Sequence, residues 1–232
     1  MNKNFNLFFF TYLTVLCIHP FKASAQLFEA GMFLGAANYI GDLADPDFFI
    51  KESGLTYGGL VRYNITPKWT ARLSVTKGTI QGNDANTQNK PRGFSFLTDV
   101  SEVAGIVEWN MFGASAFTSN GIFANRFDPY VFTGLALSSF TANAKAPAKS
   151  TPYPFPEAGQ KDATLSFPIG LGLKMHLSEE LNFGIEYGNR FTLSDYVDGI
   201  SKTANPKSKD WYMFFGVTLS YIIGNDPYTY KR

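Results

Sequence analysis

Apolar side chains recur at every second position between Phe28 and Tyr221, in about eight stretches of roughly ten residues each. A period of two builds a strand with one oily face and one wet face. Short turns and long polar segments separate the stretches alternately. Strands of this number and length, most with an aromatic residue near one end, predict an eight-stranded antiparallel transmembrane β-barrel. The pattern leaves no room for a second domain.

Composition fits that reading. The chain has 23 Phe and 12 Tyr, and charged residues make up only 17%. Such aromatic content suits girdles at two membrane interfaces. A formal net charge of +1 gives no nucleic-acid footprint. The N-terminus reads as a secretory signal: Lys3, an apolar stretch over 7–18, then Ala23-Ser24-Ala25 as a small-x-small cleavage site. Cleavage between Ala25 and Gln26 is expected, dividing the chain into a signal (1–25), a barrel (26–224) and a short periplasmic tail (225–232). Cys17, the single cysteine, lies within the signal. The apolar run is too short to serve as a transmembrane anchor.

The strands are expected over residues 28–38, 55–64, 69–77, 94–110, 129–140, 164–177, 181–193 and 211–222. Strand six alternates most cleanly, with Leu165, Phe167, Ile169, Leu171, Leu173 and Met175 facing out and Ser166, Pro168, Gly170, Gly172, Lys174 and His176 facing in. Strand eight places Trp211, Met213, Phe215, Val217, Leu219 and Tyr221 on lipid. The facing of strand five stays open. Short turns at 65–68 and 178–180 belong in the periplasm, and long loops beginning at Tyr39, Gly78, Ala142 and Asp195 belong outside. The segment 111–127 is longer than a periplasmic turn requires. Periodicity alone does not separate this barrel from a soluble one with an oily interior. The charged and glycine-rich inward set does, because it is too polar for a dry core.

On this register Glu29, Glu102, Glu108 and Glu186 face inward with Arg62, Arg72, Lys174 and Arg190. Side chains fill a barrel of eight strands, so balanced opposite charges there are expected to pair and plug it. His176 and Ser178 have the spacing of the His-x-Ser pair in lipid A deacylase barrels, and Glu179 or Glu180 could serve as the acid. The expected topology puts them at the periplasmic end, away from the outer leaflet, which favours a structural role. Asp42, Asp45 and Asp47 lack the glycine and distant glutamate of a calcium loop. No phosphate loop or Cys/His zinc set occurs. No catalytic residue, cofactor, metal, nucleic acid or small-molecule substrate is therefore expected.

Several segments resemble one family: Gly31-Met-Phe-Leu-Gly-Ala-Ala-Asn-Tyr-Ile-Gly41-Asp42-Leu43, Pro168-Ile-Gly-Leu-Gly-Leu-Lys174, Gly184-Ile-Glu-Tyr-Gly-Asn-Arg190 and Asp195-Tyr196-Val-Asp198-Gly-Ile-Ser201. In this order they are similar to PorG-like outer-membrane barrels of the type IX secretion and gliding machinery. Glu157-Ala-Gly-Gln160 looks like a degraded Thr-Glu-Gly-Gln motif of that family. Departures fall in the 142–163 loop and the 111–127 connection. The resemblance implies a non-enzymatic subunit that anchors a periplasmic PorK/PorN-like ring to the outer membrane. From the residues, the candidate docking segment is 111–126. The alternative is a stand-alone envelope or adhesion barrel like the OmpA and OmpX transmembrane domains.

Overall fold

The computed structural model describes residues 28–40, 53–83, 95–113, 127–145, 160–178, 180–193 and 211–223. All regular structure among them is strand: β1 (Phe28–Ile40), β2 (Gly54–Asn64), β3 (Trp69–Asn83), β4 (Ser95–Asn110), β5 (Phe127–Lys145), β6 (Gln160–His176), β7 (Leu181–Thr192) and β8 (Trp211–Ile223). Each strand pairs antiparallel with its sequence neighbour, and β8 closes onto β1. Closure leaves no unpaired sheet edge within a bilayer, where an unsatisfied backbone group would be costly.

The stagger of the barrel follows from the register. Phe28 pairs with Tyr63, Tyr63 with Ala71, Ala71 with Val107 and Val107 with Thr133. The row continues through Ile169, Asn189 and Met213 and returns to β1 at Asn38. One circuit therefore climbs ten residues, from position 28 to position 38. Such a stagger tilts strands by about 40°.

Strand lengths are unequal. β1, β2, β7 and β8 have 13, 11, 12 and 13 residues, whereas β3 to β6 have 15, 16, 19 and 17. A tilted strand needs roughly 9–11 residues to cross a bilayer. The four middle strands thus extend past it on one side. The turns β2–β3 and β6–β7 lie at the opposite, periplasmic end. Both close in the same way. Thr66 Oγ1 accepts from the backbone N–H of Lys68 and Trp69, and Ser178 Oγ accepts from those of Glu180 and Leu181.

The outer surface changes character along the tall strands. Val75, Val103, Leu137 and Leu165 form one register row, all exposed. The next outward row is Lys77, Ser101, Ser139 and Ala163, followed by Thr79, Asp99 and Thr141. The interior changes in the opposite sense. Below the switch it holds charges. Above it Ile80, Val100, Phe96 and Phe140 point inward and bury themselves against Tyr212, Phe214 and Ala37. The lower part is thus oily outside and wet inside, and the upper part is the reverse, as a sheet standing in water should be.

This inversion accounts for the differences from the sequence reading. Gly78–Asn83, Ala142–Lys145 and Gln160–Ala163 belong to strands and not to loops. Their outward residues are polar because they stand in water. β5 faces in with Asp128, Tyr130, Phe132, Ala136, Ser138 and Phe140. Its aromatics fill the lumen, which is why its pattern did not declare a lipid face. Nor is the lining charged throughout: its outer third is mainly apolar, with Thr56 and Thr98 buried among the apolar side chains. Met213 lies on the outward row but is buried, not on lipid, and its register partners are the amides Asn38 and Asn189.

Candidate functional site

All eight inward charges expected from sequence are buried. They form two groups. Alternation alone carries Glu29 (β1), Arg62 (β2), Arg72 (β3), Glu108 (β4), Lys174 (β6) and Glu186 (β7) into the same space. The Arg62 guanidinium is the hub. Its Nε lies 2.9 Å from Glu108 Oε1, its Nη2 2.9 Å from Glu186 Oε1, and its Nη1 3.5 Å from Glu29 Oε2. Arg72 Nη1 reaches Glu186 Oε1 at 2.5 Å and Glu108 Oε1 at 3.0 Å. Lys174 Nζ stands 3.6 Å from Glu29 and 3.9 Å from Glu108. Three acids thus face three bases.

The second group lies nearer the outside. Arg190 Nε is 3.5 Å from Glu102 Oε2. Its guanidinium stacks on Phe214 at 4.1 Å and donates to the Gly188 carbonyl at 2.6 Å. Tyr212 donates its hydroxyl proton to Glu102 at 2.6 Å, and Ser138 lies 2.8 Å from Tyr212.

Two tyrosines that sequence reasoning missed complete the site. Tyr212 belongs to the second group. Tyr130 donates to Glu186 at 2.5 Å and occupies the space that a side chain at position 172 would take. A Cβ on Gly172 would run into the Tyr130 ring. Asp128 and His176 are also buried at the periplasmic end.

That end is hydrogen-bonded in series. Asn110 Nδ2 donates to Thr70 Oγ1 at 3.2 Å, Thr70 to Asn64 Oδ1 at 2.6 Å, and Asn64 Nδ2 to Glu29 at 3.1 Å. His176 Nδ1 bonds Asn182 Oδ1 at 2.5 Å in the lumen, while Ser178 is exposed in its turn with its hydroxyl accepting backbone N–H groups. The spacing that looked like a catalytic pair thus splits between lumen and turn. Glu179 lies outside the described residues.

Between the two charge groups lies a cavity of about 20 Å³, bounded by Phe33, Leu60, Arg72, Glu186, Arg190 and Phe214. It has room for about one water molecule. Above it the apolar cluster of Tyr212, Phe214, Phe140 and Ile80 closes the lumen. The arrangement therefore fills the tube. Among the described residues no group of three or more His, Cys, Asp or Glu is placed to hold a metal.

At the periplasmic rim the start of the β4–β5 connection is tied down. Asn110 N–H donates to the Lys68 carbonyl at 2.8 Å, Met111 N–H to that of Pro129 at 2.9 Å, and Phe112 N–H to Asp128 Oδ1 at 3.1 Å. Gly113 has φ +57°, which favours glycine, and a Cβ there would press on Lys68. Phe112 is left 70% exposed. Residues 114–126 of the expected docking segment lie outside the described residues. So do Gly41, Asp42, Asp45, Asp47, Asp195, Tyr196 and Asp198, the cleavage pair Ala25–Gln26, and the tail 225–232.

A family model described as "Domain of unknown function (DUF6089)" matches residues 7–231. The chain belongs to the DUF6089 family. No curated protein matches it. Several solved structures are similar to this DUF6089 barrel. A major outer membrane protein from Thermus thermophilus is 12% identical, covering 86% of this chain and 100% of that one, with a TM-score of 0.49. OprG from Pseudomonas aeruginosa is 12% identical over 87% and 97% of the two chains, with a TM-score of 0.46. The N-terminal β-barrel domain of Pseudomonas aeruginosa OprF is 14% identical over 84% and 97%, with a TM-score of 0.43. With scores below 0.5, the architecture rests on the closed strand order and the pairing given above.

The bilayer belt follows from that architecture. Trp69 pairs with Trp109 at the periplasmic end, and Phe191 stacks on Trp211 at 5.2 Å at the other. Between them the outward positions are largely apolar and exposed. A closed eight-stranded barrel with an apolar belt between aromatic rows is an outer-membrane protein.

Proposed function

We propose that this barrel is a non-enzymatic outer-membrane subunit of a type IX-like protein secretion and gliding apparatus, and that it anchors a periplasmic ring of PorK/PorN-like proteins. The resemblance of Gly31–Leu43, Pro168–Lys174, Gly184–Arg190 and Asp195–Ser201 to PorG-like barrels supports the family of machine. The filled lumen supports the role: a plugged tube does not carry cargo, so its work lies at its surfaces. The observation that carries the reading is Phe112. An aromatic side chain 70% exposed at the periplasmic rim, on a backbone fixed by Lys68, Asp128 and Pro129, is preorganised to fill a partner's pocket.

Photocrosslinking tests this. A photoreactive amino acid replaces Phe112 in the native bacterium, and captured proteins are identified by mass spectrometry. Ring lipoproteins or their partners in the crosslinked band support the reading. Crosslinks to lipid alone, with ring proteins absent, overturn it. A second reading, a stand-alone adhesion barrel, draws on the extension of β3 to β6 beyond the membrane. Under that reading, deleting the gene would weaken surface attachment and leave secretion intact.

A further inference from the structure

We infer that the cavity between the two charge groups is the binding site of one water molecule, and that this water joins the groups into a single network. The inference does not depend on the secretion reading. It rests on which side chains meet there. Arg72 and Glu186 come from the first group and Arg190 from the second. Ser74 and Thr76 of β3 add two hydroxyls, and apolar side chains with Gly59 make the rest of the wall. Among the described residues, no hydrogen bond or ion pair links the six charges of the first group to Glu102, Arg190 or Tyr212. The polar lining is interrupted at this cavity. Both guanidinium groups beside it are buried, yet each keeps an Nε–H that makes no hydrogen bond. On Glu186, Oε1 accepts from Arg62, Arg72 and Tyr130, and no described residue donates to Oε2.

Size and chemistry select the occupant. A volume of about 20 Å³ admits one water and nothing larger. The wall offers guanidinium N–H donors, a carboxylate oxygen, and hydroxyls that can do either. An occupant must therefore accept from the first and donate to the second, and water does both. A halide only accepts, and it would sit against Glu186. A metal cation would sit against two guanidinium groups. An apolar atom would leave the donors and the carboxylate without partners, at the full cost of their desolvation. Charge points the same way. Arg72 is already paired with Glu186 and Glu108, and Arg190 with Glu102, so the wall needs no counter-ion. Bridged through water, Glu186 and Arg190 belong to one body, and a change in one group is felt in the other.

Two measurements on the folded mature chain test this. In a crystal structure that resolves ordered solvent, one peak is expected about 2.7–3.2 Å from polar atoms of Arg72, Arg190 and Glu186. A crystal grown in bromide should show no anomalous signal at that point. A cavity without solvent density, or one holding bromide, would overturn the inference. The second measurement reads the coupling. Arg190→Met and Glu186→Gln are made singly and together, and unfolded by urea in lipid vesicles. The folding equilibrium constant of the double variant should differ about fivefold from that expected of independent effects. Ser74→Val puts methyl groups in the cavity, and in that background the fivefold factor should vanish. Independent effects in the parent would sink the bridge. So would the same coupling with the cavity filled, since the groups would then interact without water. Heat-dependent gel migration checks the fold of each variant. If the double variant does not fold, the solvent peak, and its loss in Ser74→Val, decide.

Discussion

Arg62 on β2 and Glu186 on β7 meet across the lumen, Nη2 to Oε1 at 2.9 Å, although 124 residues separate them in the chain. Neither strand pairs with the other. The contact spans the tube, and the same arginine also holds Glu108 and Glu29.

Removing Arg62 should therefore leave three carboxylates short of a partner. Arg62→Met is expected to cost about 3–5 kcal/mol of unfolding free energy, read by urea denaturation in lipid vesicles with tryptophan fluorescence. Adding Glu186→Gln should recover part of that loss. Strictly additive losses would show that the two side chains do not interact as described.

The belt can be mapped by placing one charge at two heights on the same strand. Leu135 and Thr141 both face outward on β5, but only Leu135 lies within the apolar belt, where it is 59% exposed. Leu135→Arg should cost about 2–4 kcal/mol. Thr141→Arg should change stability by no more than about 0.5 kcal/mol. Equal effects in the same denaturation measurement would place the bilayer boundary elsewhere.

Inside, the order reverses. Phe140 is fully buried in the upper cluster and makes an edge-on contact with Tyr212 at 5.7 Å. Phe140→Ala should cost about 3–5 kcal/mol, as for a buried core aromatic. The same substitution should admit small ions to proteoliposomes more readily than the parent does, measured by dye release or planar-bilayer conductance. An unchanged melting point would contradict a packed seal.

Gly172 tests the fit of Tyr130. A methyl group there would collide with the ring and push its hydroxyl off Glu186. Gly172→Ala should destabilise the barrel by about 1–3 kcal/mol, and Tyr130→Phe should suppress part of that penalty if the displaced hydrogen bond contributes to it. Denaturation of the single and double variants gives the coupling.

Much of the lower barrel could be read from residue order. In β6, leucines alternate with glycines and Lys174, so facing, register parity and buried charge came together. The eight charges were legible for the same reason: in a strand with an oily outer face, an ionised residue has one place to go. β5 was not legible because Tyr130, Phe132 and Phe140 face inward and mimic a lipid face. Asp128 held the missing signal, since a carboxylate beside the belt turns inward and fixes the parity of 130, 132 and 140. The upper ends of β3, β5 and β6 read as loops because their outward residues lose the apolar alternation where the solvent changes from lipid to water. Pairing partners were beyond sequence altogether: alternation says that Arg62 points in, but not that Glu186 lies opposite.

The six-membered charge cluster has a consequence for assembly. A strand that docked one residue out of step would turn its ionised side chain toward the hydrocarbon and strand its former partners on several other strands at once. Each of the six therefore penalises misalignment of a different seam, so the cluster acts as a proofreading lock, favouring the one closure in which every tooth of the key is seated.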